Sequence, residues 1–266
     1  MKHKLLFSIF TIACIFFAAC DKKENDPKDK KEGGDTTKPI VNVIKKPKKI
    51  DVKFNNYDYF PFYSIKFEYD SKGRLIKLFD YYKEYVTNTE YIYSEDKVIE
   101  SKEWMGNSSS SIIRKYFYDK SGKVERIESN EYDYKYKILY YYENNNSLIT
   151  RADSKYNNKE SVFSDYYFYD SKGNLIKENT SSYSTKYEYE YDDKINPFKH
   201  LHIMPKTYIS IELWGFNTFV NNIIKEIRNG NSHTYTYEYD KDGYPTQRID
   251  KDEKGEVWRT ITYEYQ

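Results

Sequence analysis

Aromatic and polar residues alternate in short runs that recur along the chain from Tyr57 onwards. In the segment 187–191, three tyrosines fall on one side of an extended strand, and Glu188 and Glu190 fall on the other. Each run is followed by a turn and then by a short aliphatic segment, as in residues 67–77. This pattern predicts β-hairpins, because a two-residue period belongs to strands with one buried and one solvated face.

An aspartate and a glycine mark the turn in the clearest copies of the repeat. The aspartate can accept a hydrogen bond from the backbone N–H two residues further on, and the glycine supplies the positive φ of a three-residue hairpin loop with its bulge. The glycines in question are Gly73, Gly122, Gly173 and Gly243. A hairpin loop is therefore expected at each of them.

The last tyrosine before each turn recurs at a spacing of about 24 residues, which is room for two strands and two turns. It stands at positions 69, 93, 118, 142, 169, 191, 239 and 265. The gap between 191 and 239 is interpreted as two periods, in which one turn lacks the usual sequence pattern. The sequence therefore predicts an all-β, up-and-down antiparallel meander of about 14–16 strands, in a strongly curved or barrel-like sheet.

Residues 192–222 interrupt the repeat. Pro197 cannot continue a central strand, because proline has no N–H to donate to the ladder. The segment that follows is the densest apolar stretch of residues 51–266, the region predicted to be the β-repeat domain. We expect an inserted loop that folds inward to plug or cap the curved sheet, and the alternative is a wall or gate of a ligand cavity.

Composition supports a core built from tyrosine. The chain has 266 residues, 32 of them Tyr, and few aliphatic side chains. Each tyrosine ring buries about 150–250 Å² while its hydroxyl can stay hydrated, so tyrosine can replace the missing aliphatic residues. The 43 basic and 42 acidic side chains balance, which excludes nucleic-acid binding through bulk charge.

The first 50 residues have the composition of a targeting signal followed by a spacer. Residues 1–19 have a basic start and a 15-residue apolar run, which predicts a signal peptide. Phe17-Ala18-Ala19-Cys20 resembles a bacterial lipobox, and the resemblance implies lipidation of Cys20. Residues 20–50 are rich in lysine and lack aromatic residues, which predicts a disordered tether. Without Cys14, which lies in the signal peptide, the mature chain has no cysteine pair to oxidise.

Residues 69–75 are similar to the Tyr-Asp repeat of Rhs-type shells, whose unit reads Tyr-Asp-x-x-Gly-Arg-Leu. Together with the lipobox, the tether, the period and the segment 191–198, they resemble a family of Bacteroidetes lipoproteins with a domain of unknown function. That resemblance implies a porin-like β fold over most of residues 51–266. It implies no activity.

Catalytic motifs are absent from the sequence. No nucleophile elbow, His-Glu-x-x-His motif or phosphate-binding glycine loop occurs, so no enzyme, cofactor or metal site is predicted. Two carboxylates on a β scaffold could still form a glycoside hydrolase. The candidate ligand-contact residues are the three tryptophans and the two closely spaced histidines: Trp104, Trp214, Trp258, His200 and His202.

The expected function is non-catalytic binding of a glycan or another extended ligand by an outer-membrane lipoprotein, on either the periplasmic or the cell-surface side. The alternative is a structural or protein-interaction role in the envelope. The membrane is the expected partner, through the lipid at Cys20. An integral outer-membrane barrel is disfavoured, because the faces opposite the tyrosines carry charges such as Lys66, Glu68 and Glu188 rather than an apolar band.

Overall fold

The structure, a computed structural model, describes residues 44–55, 62–131, 134–143, 148–157, 162–181, 184–201 and 219–266. These residues form a succession of strands joined by turns. In chain order the strands are β1 Pro47–Phe54, β2 Phe62–Tyr69, β3 Leu75–Tyr82, β4 Tyr85–Ser94, β5 Lys97–Met105, β6 Ile112–Tyr118, β7 Val124–Glu131, β8 Tyr134–Tyr142, β9 Ile149–Tyr156, β10 Val162–Tyr169, β11 Leu175–Thr180, β12 Thr185–Ile195, β13 Asn221–Arg228, β14 Asn231–Tyr239, β15 Pro245–Lys251 and β16 Val257–Tyr265.

The strands close into a barrel. Each pairs antiparallel with its neighbours along the chain, and β1 pairs with β16, where Ile50 lies opposite Tyr263 and Val52 opposite Ile261. This confirms the predicted meander and gives its closed form. Because every described strand has a partner on both sides, none of them presents a free sheet edge.

Strand β1 begins inside the segment that the sequence assigns to the tether. Residues 47–50 belong to the barrel, and Ile50 is fully buried. Pro47 stands at the first strand position, where a missing N–H is tolerated. The local sequence does not show this strand, because its partner β16 lies at the far end of the repeat.

The tyrosine rows face the interior of the barrel. On β2, Tyr63, Ile65 and Phe67 are buried, whereas Lys66 and Glu68 between them are exposed. The same alternation runs around the barrel and forms one core cluster in which tyrosines stand beside isoleucines and leucines. The tyrosine excess is therefore the core of the fold, as expected.

The aspartate turns form as predicted. The Asp70 carboxylate accepts hydrogen bonds from the backbone N–H of Lys72 at 3.0 Å and of Arg74 at 2.9 Å, and Gly73 has a φ of +76°. Equivalent bonds form at Asp119, Asp170 and Asp240, and a fifth copy that the repeat pattern missed forms at Asp252.

A bulge follows these turns and changes the phase of the next strand. Between β2 and β3, Glu68 pairs with Lys77 but Tyr69 pairs with Leu75, so Ile76 is the extra residue. Register shifts of the same kind occur at the ends of β4, β6, β8, β10, β12 and β14. Across such a bulge, consecutive inward-facing residues are therefore three positions apart instead of two, as Leu75 and Leu78 are on β3.

The two ends of the barrel differ. At the end that we call the packed end, reached by the turns after even-numbered strands, inward-facing residues such as Leu75, Val98 and Leu175 are buried. The N–H of Lys46 donates to the carbonyl of Gln266 at 3.3 Å, so residues 44–46 also lie there. The opposite end, reached by the turns after odd-numbered strands, we call the mouth.

At the packed end, tyrosine hydroxyls satisfy backbone carbonyls that the strand ladders leave unpaired. Each tyrosine stands at or near the end of an even-numbered strand, and its hydroxyl donates to a backbone carbonyl of the preceding strand. The residue that carries this carbonyl lies two positions beyond the last residue of that strand that pairs with the tyrosine's strand. The pairs are Tyr69–Pro47, Tyr93–Leu75, Tyr118–Val98, Tyr142–Val124, Tyr191–Leu175, Tyr237–Ile223 and Tyr265–Pro245, at 2.6–2.8 Å. Tyr169, at the equivalent position of β10, has a buried hydroxyl for which no described residue is a hydrogen-bond partner.

The insertion occupies the place of one turn at the packed end. Strand β12 ends at Ile195 and β13 begins at Asn221, so the 191–239 gap holds one hairpin period and the insertion rather than two periods. Phe198, Leu201 and Phe219 are buried in the core cluster. The two described ends of the insertion thus fold inward, as expected, and residues 202–218 lie outside the described part of the chain.

Candidate functional site

Aromatic side chains at the mouth face inward and yet are exposed. By strand register, Tyr85 lies opposite Tyr82, and Phe163 lies opposite Ser154 on the inner face. The exposed fractions are 52% for Tyr85, 43% for Tyr156 and 39% for Phe163. Since inward-facing residues at the packed end are buried or half-buried, the mouth is where interior side chains meet solvent.

Two of these exposed rings, Tyr156 and Phe163, form a continuous apolar surface with the half-buried ring of Tyr136. The ring centroids of Tyr136 and Tyr156 are 4.8 Å apart, and those of Tyr156 and Phe163 are 6.4 Å apart with the rings nearly perpendicular. They stand on β8, β9 and β10, so three neighbouring strands each contribute one ring. We call these three residues the mouth cluster.

Carboxylates line the interior next to the mouth cluster. Asp165 on β10, Glu178 on β11 and Glu226 on β13 face inward at half-buried positions. Burial raises the pKa of Glu178 to about 7, and the charges of Asp165 and Glu226 add to the rise. Burial also raises the pKa of Asp165. A hydrogen bond with Tyr189 opposes this rise in pKa but does not outweigh it, so the Glu178 carboxyl lies in an acidic environment.

A second carboxyl pair lies on the other side of the interior, on β3 and β5. Burial raises the pKa of Asp80 to about 6 despite a short hydrogen bond from the Tyr63 hydroxyl, and the charge of Glu103 adds to the rise. Glu103 itself accepts a hydrogen bond from Arg114 at 2.9 Å. The interior therefore carries carboxyl groups on both sides.

Two arginines and one aspartate form a buried ionic group on β15 and β16. Arg248 donates to both Asp250 oxygens at 2.6 and 2.7 Å, and Arg259 donates to one of them at 2.6 Å. Burial opposes ionisation of Asp250, but the two guanidinium groups outweigh it and hold its pKa below the usual value. Because these charges satisfy one another, we assign the group to stability.

Of the candidate tryptophans, the structure places Trp258 at the mouth. Its ring centroid lies 6.0 Å from that of Phe54 and 6.4 Å from that of His233, and the Arg259 guanidinium carbon stands 4.3 Å from it. Within the described part of the chain the buried indole N–H has no hydrogen-bond partner. Trp258, a predicted ligand-contact residue, is half-buried and lines the wall of the mouth.

The other candidates are not brought together with Trp258. Trp104 lies on the outer face, opposite Asn88 of β4, with the Lys102 ammonium 5.7 Å from its ring centroid. His200 is half-buried in the turn that follows β12, at the packed end. Cys20, His202 and Trp214 lie outside the described residues, so the pairing of His200 with His202 stays a prediction.

Sequence reasoning missed the mouth cluster and the interior carboxylates. It assigned acidic residues to the solvated face of the sheet, because glutamates alternate with tyrosines on β12. Asp165 could have been found, since it precedes the inward-facing Tyr167 by two residues. Within the described ranges no group of three or more His, Cys, Asp or Glu side chains is arranged to hold a metal ion, and no helix is long and apolar enough to cross a membrane.

Comparison with solved structures identifies the fold. A porin-like protein from Bacteroides uniformis superposes with a TM-score of 0.61 at 15% identity, over 83% of this chain and 98% of that one. A porin-like protein from Bacteroides vulgatus covers 84% and 99% at 13% identity, but its TM-score of 0.39 is too low to support an argument. No family model and no curated protein matches the sequence. The chain therefore has a porin-like barrel fold.

Proposed function

We propose that this chain is an outer-membrane lipoprotein that binds a glycan or another extended ligand at the mouth of its barrel, without chemical change. The observation that carries the proposal is the mouth cluster, whose three rings face inward and of which Tyr156 and Phe163 remain exposed. Tyr169 and Tyr191 at the packed end are only half-buried, but neither is exposed to the same extent. The site is therefore assigned to one end of the barrel.

The chemistry of the mouth suits a ligand with apolar faces and hydroxyl groups. Aromatic rings offer flat apolar surfaces, and carboxylates accept hydrogen bonds from hydroxyl donors. Binding sites commonly combine an apolar lining with a few convergent polar groups, which is the arrangement of Tyr156 and Phe163 beside Asp165. A sugar ring presents both kinds of surface.

A glycan array tests this proposal directly. The mature chain from residue 20 onwards is screened, and hits are remeasured with Tyr156→Ala and Phe163→Ala. Each variant should weaken binding about tenfold, since each removes one aromatic ring that the bound ligand would cover. Tyr166→Ala is the matched control, because Tyr166 is an exposed ring on the same strand that faces outward. Equal losses in the control and the mouth variants, or no glycan binding at all, contradict the proposal.

A glycoside hydrolase is the second candidate, and Glu178 favours it. Its pKa of about 7, beside the acidic Asp165 and Glu226, is the property expected of a general acid. Release of reducing sugar from any glycan that binds measures this activity. A hydrolase loses it in Glu178→Gln while retaining binding, whereas a binding protein releases no sugar in either form.

A structural role without a ligand is the remaining alternative. The closed barrel argues against one mode of protein interaction, the addition of a partner strand to a sheet, because the described strands have no free edge. A protein partner would then recognise side chains or turns rather than add a strand to one of the described strands.

The membrane anchor is part of the proposal. A lipidated chain incorporates labelled palmitate in a bacterial host, and Cys20→Ser abolishes both the label and the membrane fractionation. Retention of label in Cys20→Ser contradicts anchoring at this residue. The resemblance to Bacteroidetes lipoproteins and to Tyr-Asp repeats supports this part, together with the porin-like fold of the barrel.

A further inference from the structure

The outer face of the barrel is divided into a polar half and an apolar half at the packed end. In even-numbered strands, the residue before the last inward tyrosine points outward. On β2, β12, β14 and β16 that residue is glutamate: Glu68, Glu190, Glu238 and Glu264. On β4, β6, β8 and β10 it is Ile92, Phe117, Tyr141 and Phe168. The same structural position is thus charged on one side and apolar on the other.

The bulge residues of three odd-numbered strands extend the apolar half, whereas those of β7 and β9 are Glu125 and Thr150. Ile76, Ile99 and Ile176 occupy these positions on β3, β5 and β11, beside the residues just named. Most members of the set are exposed rather than covered by neighbouring chain. We call the seven residues the apolar arc: Ile76, Ile92, Ile99, Phe117, Tyr141, Phe168 and Ile176.

Cations accompany each aromatic residue of the arc. The Arg126 guanidinium carbon lies 3.9 Å from the Phe117 ring centroid, and that of Arg151 lies 3.9 Å from the Tyr141 centroid. In both pairs the two residues are directly opposite on adjacent strands. Lys177 stands opposite Phe168, with its ammonium 6.0 Å from the ring centroid. Aromatic rings beside Lys and Arg are typical of side chains at the lipid–water interface.

The same end of the barrel is joined to the N-terminal segment. Lys45 forms ion pairs of 2.6 Å with Asp240 and Asp242 in the β14–β15 turn, and Lys46 bonds to Gln266. Residues 44–46 therefore lie at the packed end, the end that carries the arc, on its polar half beside β1 and β16. The lysine-rich sequence that precedes them contains Cys20.

We propose that the apolar arc docks the barrel on the surface of a lipid bilayer, with its side chains in the headgroup region and its cations on lipid phosphates. The orientation rests on the proposed anchor at Cys20, and the contact itself does not. A spanning arrangement is not implied, because outward residues further from the packed end include Lys66, Lys102 and Glu188, which leave no continuous apolar band. Docking this way leaves the mouth pointing away from the membrane.

Vesicle partition of a chain without acyl groups tests the contact. The protein is residues 20–266 with Cys20→Ser, and the vesicles contain phosphatidylethanolamine and phosphatidylglycerol. Ile92→Glu and Phe168→Glu each introduce a glutamate into the apolar half. Glutamate is the residue found at the equivalent position of the even-numbered strands in the polar half. Each should lower the partition coefficient about tenfold, because it removes an apolar side chain from the interface.

The control and the opposing outcomes separate this proposal from its rivals. Thr236→Glu adds the same charge to an exposed outward position of β14 in the polar half and should leave partition unchanged. No partition of the parent chain, or equal partition in the arc variants, overturns the proposal. Dimerisation that Ile92→Glu abolishes, in a chain that ignores vesicles, assigns the arc to a second copy instead. Failure of lipidation at Cys20 appears only in palmitate labelling and leaves the vesicle result intact.

Discussion

The Tyr93 hydroxyl donates a 2.7 Å hydrogen bond to the backbone carbonyl of Leu75, two residues beyond the Lys77–Glu90 pair where the β3–β4 ladder ends. The bulge at Ile76 takes this carbonyl out of the ladder, and the tyrosine supplies the donor that the neighbouring strand does not. Seven such pairs around the packed end explain why tyrosine, rather than phenylalanine, precedes the turns. Phenylalanine would fill the same space and leave each carbonyl without a partner.

Replacing one of these tyrosines by phenylalanine is expected to destabilise the barrel modestly. Tyr93→Phe removes one hydrogen bond and should lower the free energy of unfolding by about 1 kcal/mol. Tyr169→Phe is the matched control, because the Tyr169 hydroxyl is buried with no hydrogen-bond partner among the described residues and its removal should be neutral or stabilising. Urea unfolding followed by tyrosine fluorescence measures both. Equal destabilisation by the two substitutions argues against the hydroxyl–carbonyl bond as the cause.

Glu178 is expected to make the stability of the barrel fall as pH rises from about 4.5 to 7. The folded protein keeps the Glu178 proton up to about pH 7, whereas the unfolded chain releases it near 4.5, so the folded state binds more protons in this window. The difference corresponds to about 3 kcal/mol at pH 8. Glu178→Gln should therefore unfold at a higher temperature than the parent at pH 8 and at a similar temperature at pH 4.

The control for this effect is Glu188→Gln, on the adjacent outer face of β12. Glu188 is exposed, so its substitution should leave the pH dependence of the melting temperature unchanged. A parent protein whose melting temperature does not fall between pH 5 and pH 8 shows that Glu178 is not buried in an acidic environment.

Asp250→Asn is expected to be among the most destabilising single substitutions in the barrel. It leaves Arg248 and Arg259 buried next to each other without a counter-charge, which should cost about 3–5 kcal/mol. Asp51→Asn provides a comparison, because Asp51 pairs with Lys49 at a partly exposed position and should lose less than about 1 kcal/mol. Chemical denaturation of the two variants measures the difference, and similar losses would show that burial of the ionic group matters little.

Gly243→Ala is expected to destabilise the β14–β15 turn through backbone conformation alone. Gly243 has a φ of +81°, and no atom lies within 4 Å of where a Cβ would stand, so a steric clash is not involved. The left-handed conformation should cost alanine about 1 kcal/mol, and asparagine, which tolerates it better, should recover part of the loss. Thermal unfolding of Gly243→Ala and Gly243→Asn compares the two, and an asparagine variant no better than alanine contradicts this account.

The positions of the strands could be predicted because each strand has its own alternating sequence pattern. Which residues of a strand face the barrel interior could not be predicted in the same way. In β11, counting every second residue from Leu175 places Lys177 inward, whereas the bulge at Ile176 shifts the phase and turns Glu178 inward instead. The candidate site depends on such shifted positions. Alternation within one strand contains no information about a bulge whose partner residue lies on the neighbouring strand.

Two further features depend on partners that are distant or dissimilar in sequence. The β15–β16 turn at Asp252 escaped the pattern because β15 lacks the alternating tyrosines that precede the other aspartate turns. Residues 47–50 resemble the lysine-rich spacer in composition, and their pairing with β16 on one side and β2 on the other makes them a strand. Trp104 and Trp258 were each predicted as ligand-contact residues, and the structure places Trp104 on the outer face and Trp258 at the mouth.

The pairing of β1 with β16 makes the order of assembly of this barrel unusual. Every other ladder joins strands that are neighbours along the chain, so each of those hairpins can form as soon as its two strands are free to pair. The last ladder joins β1 to β16, where the side chains of Lys48 and Glu264 form an ion pair between residues 216 positions apart, and only this step has a large loop-closure entropy. Until β16 has paired, β1 and the most recently added strand each expose an unpaired backbone edge. A chaperone that shields these two edges would therefore cover the strands through which an incomplete barrel can pair with another chain.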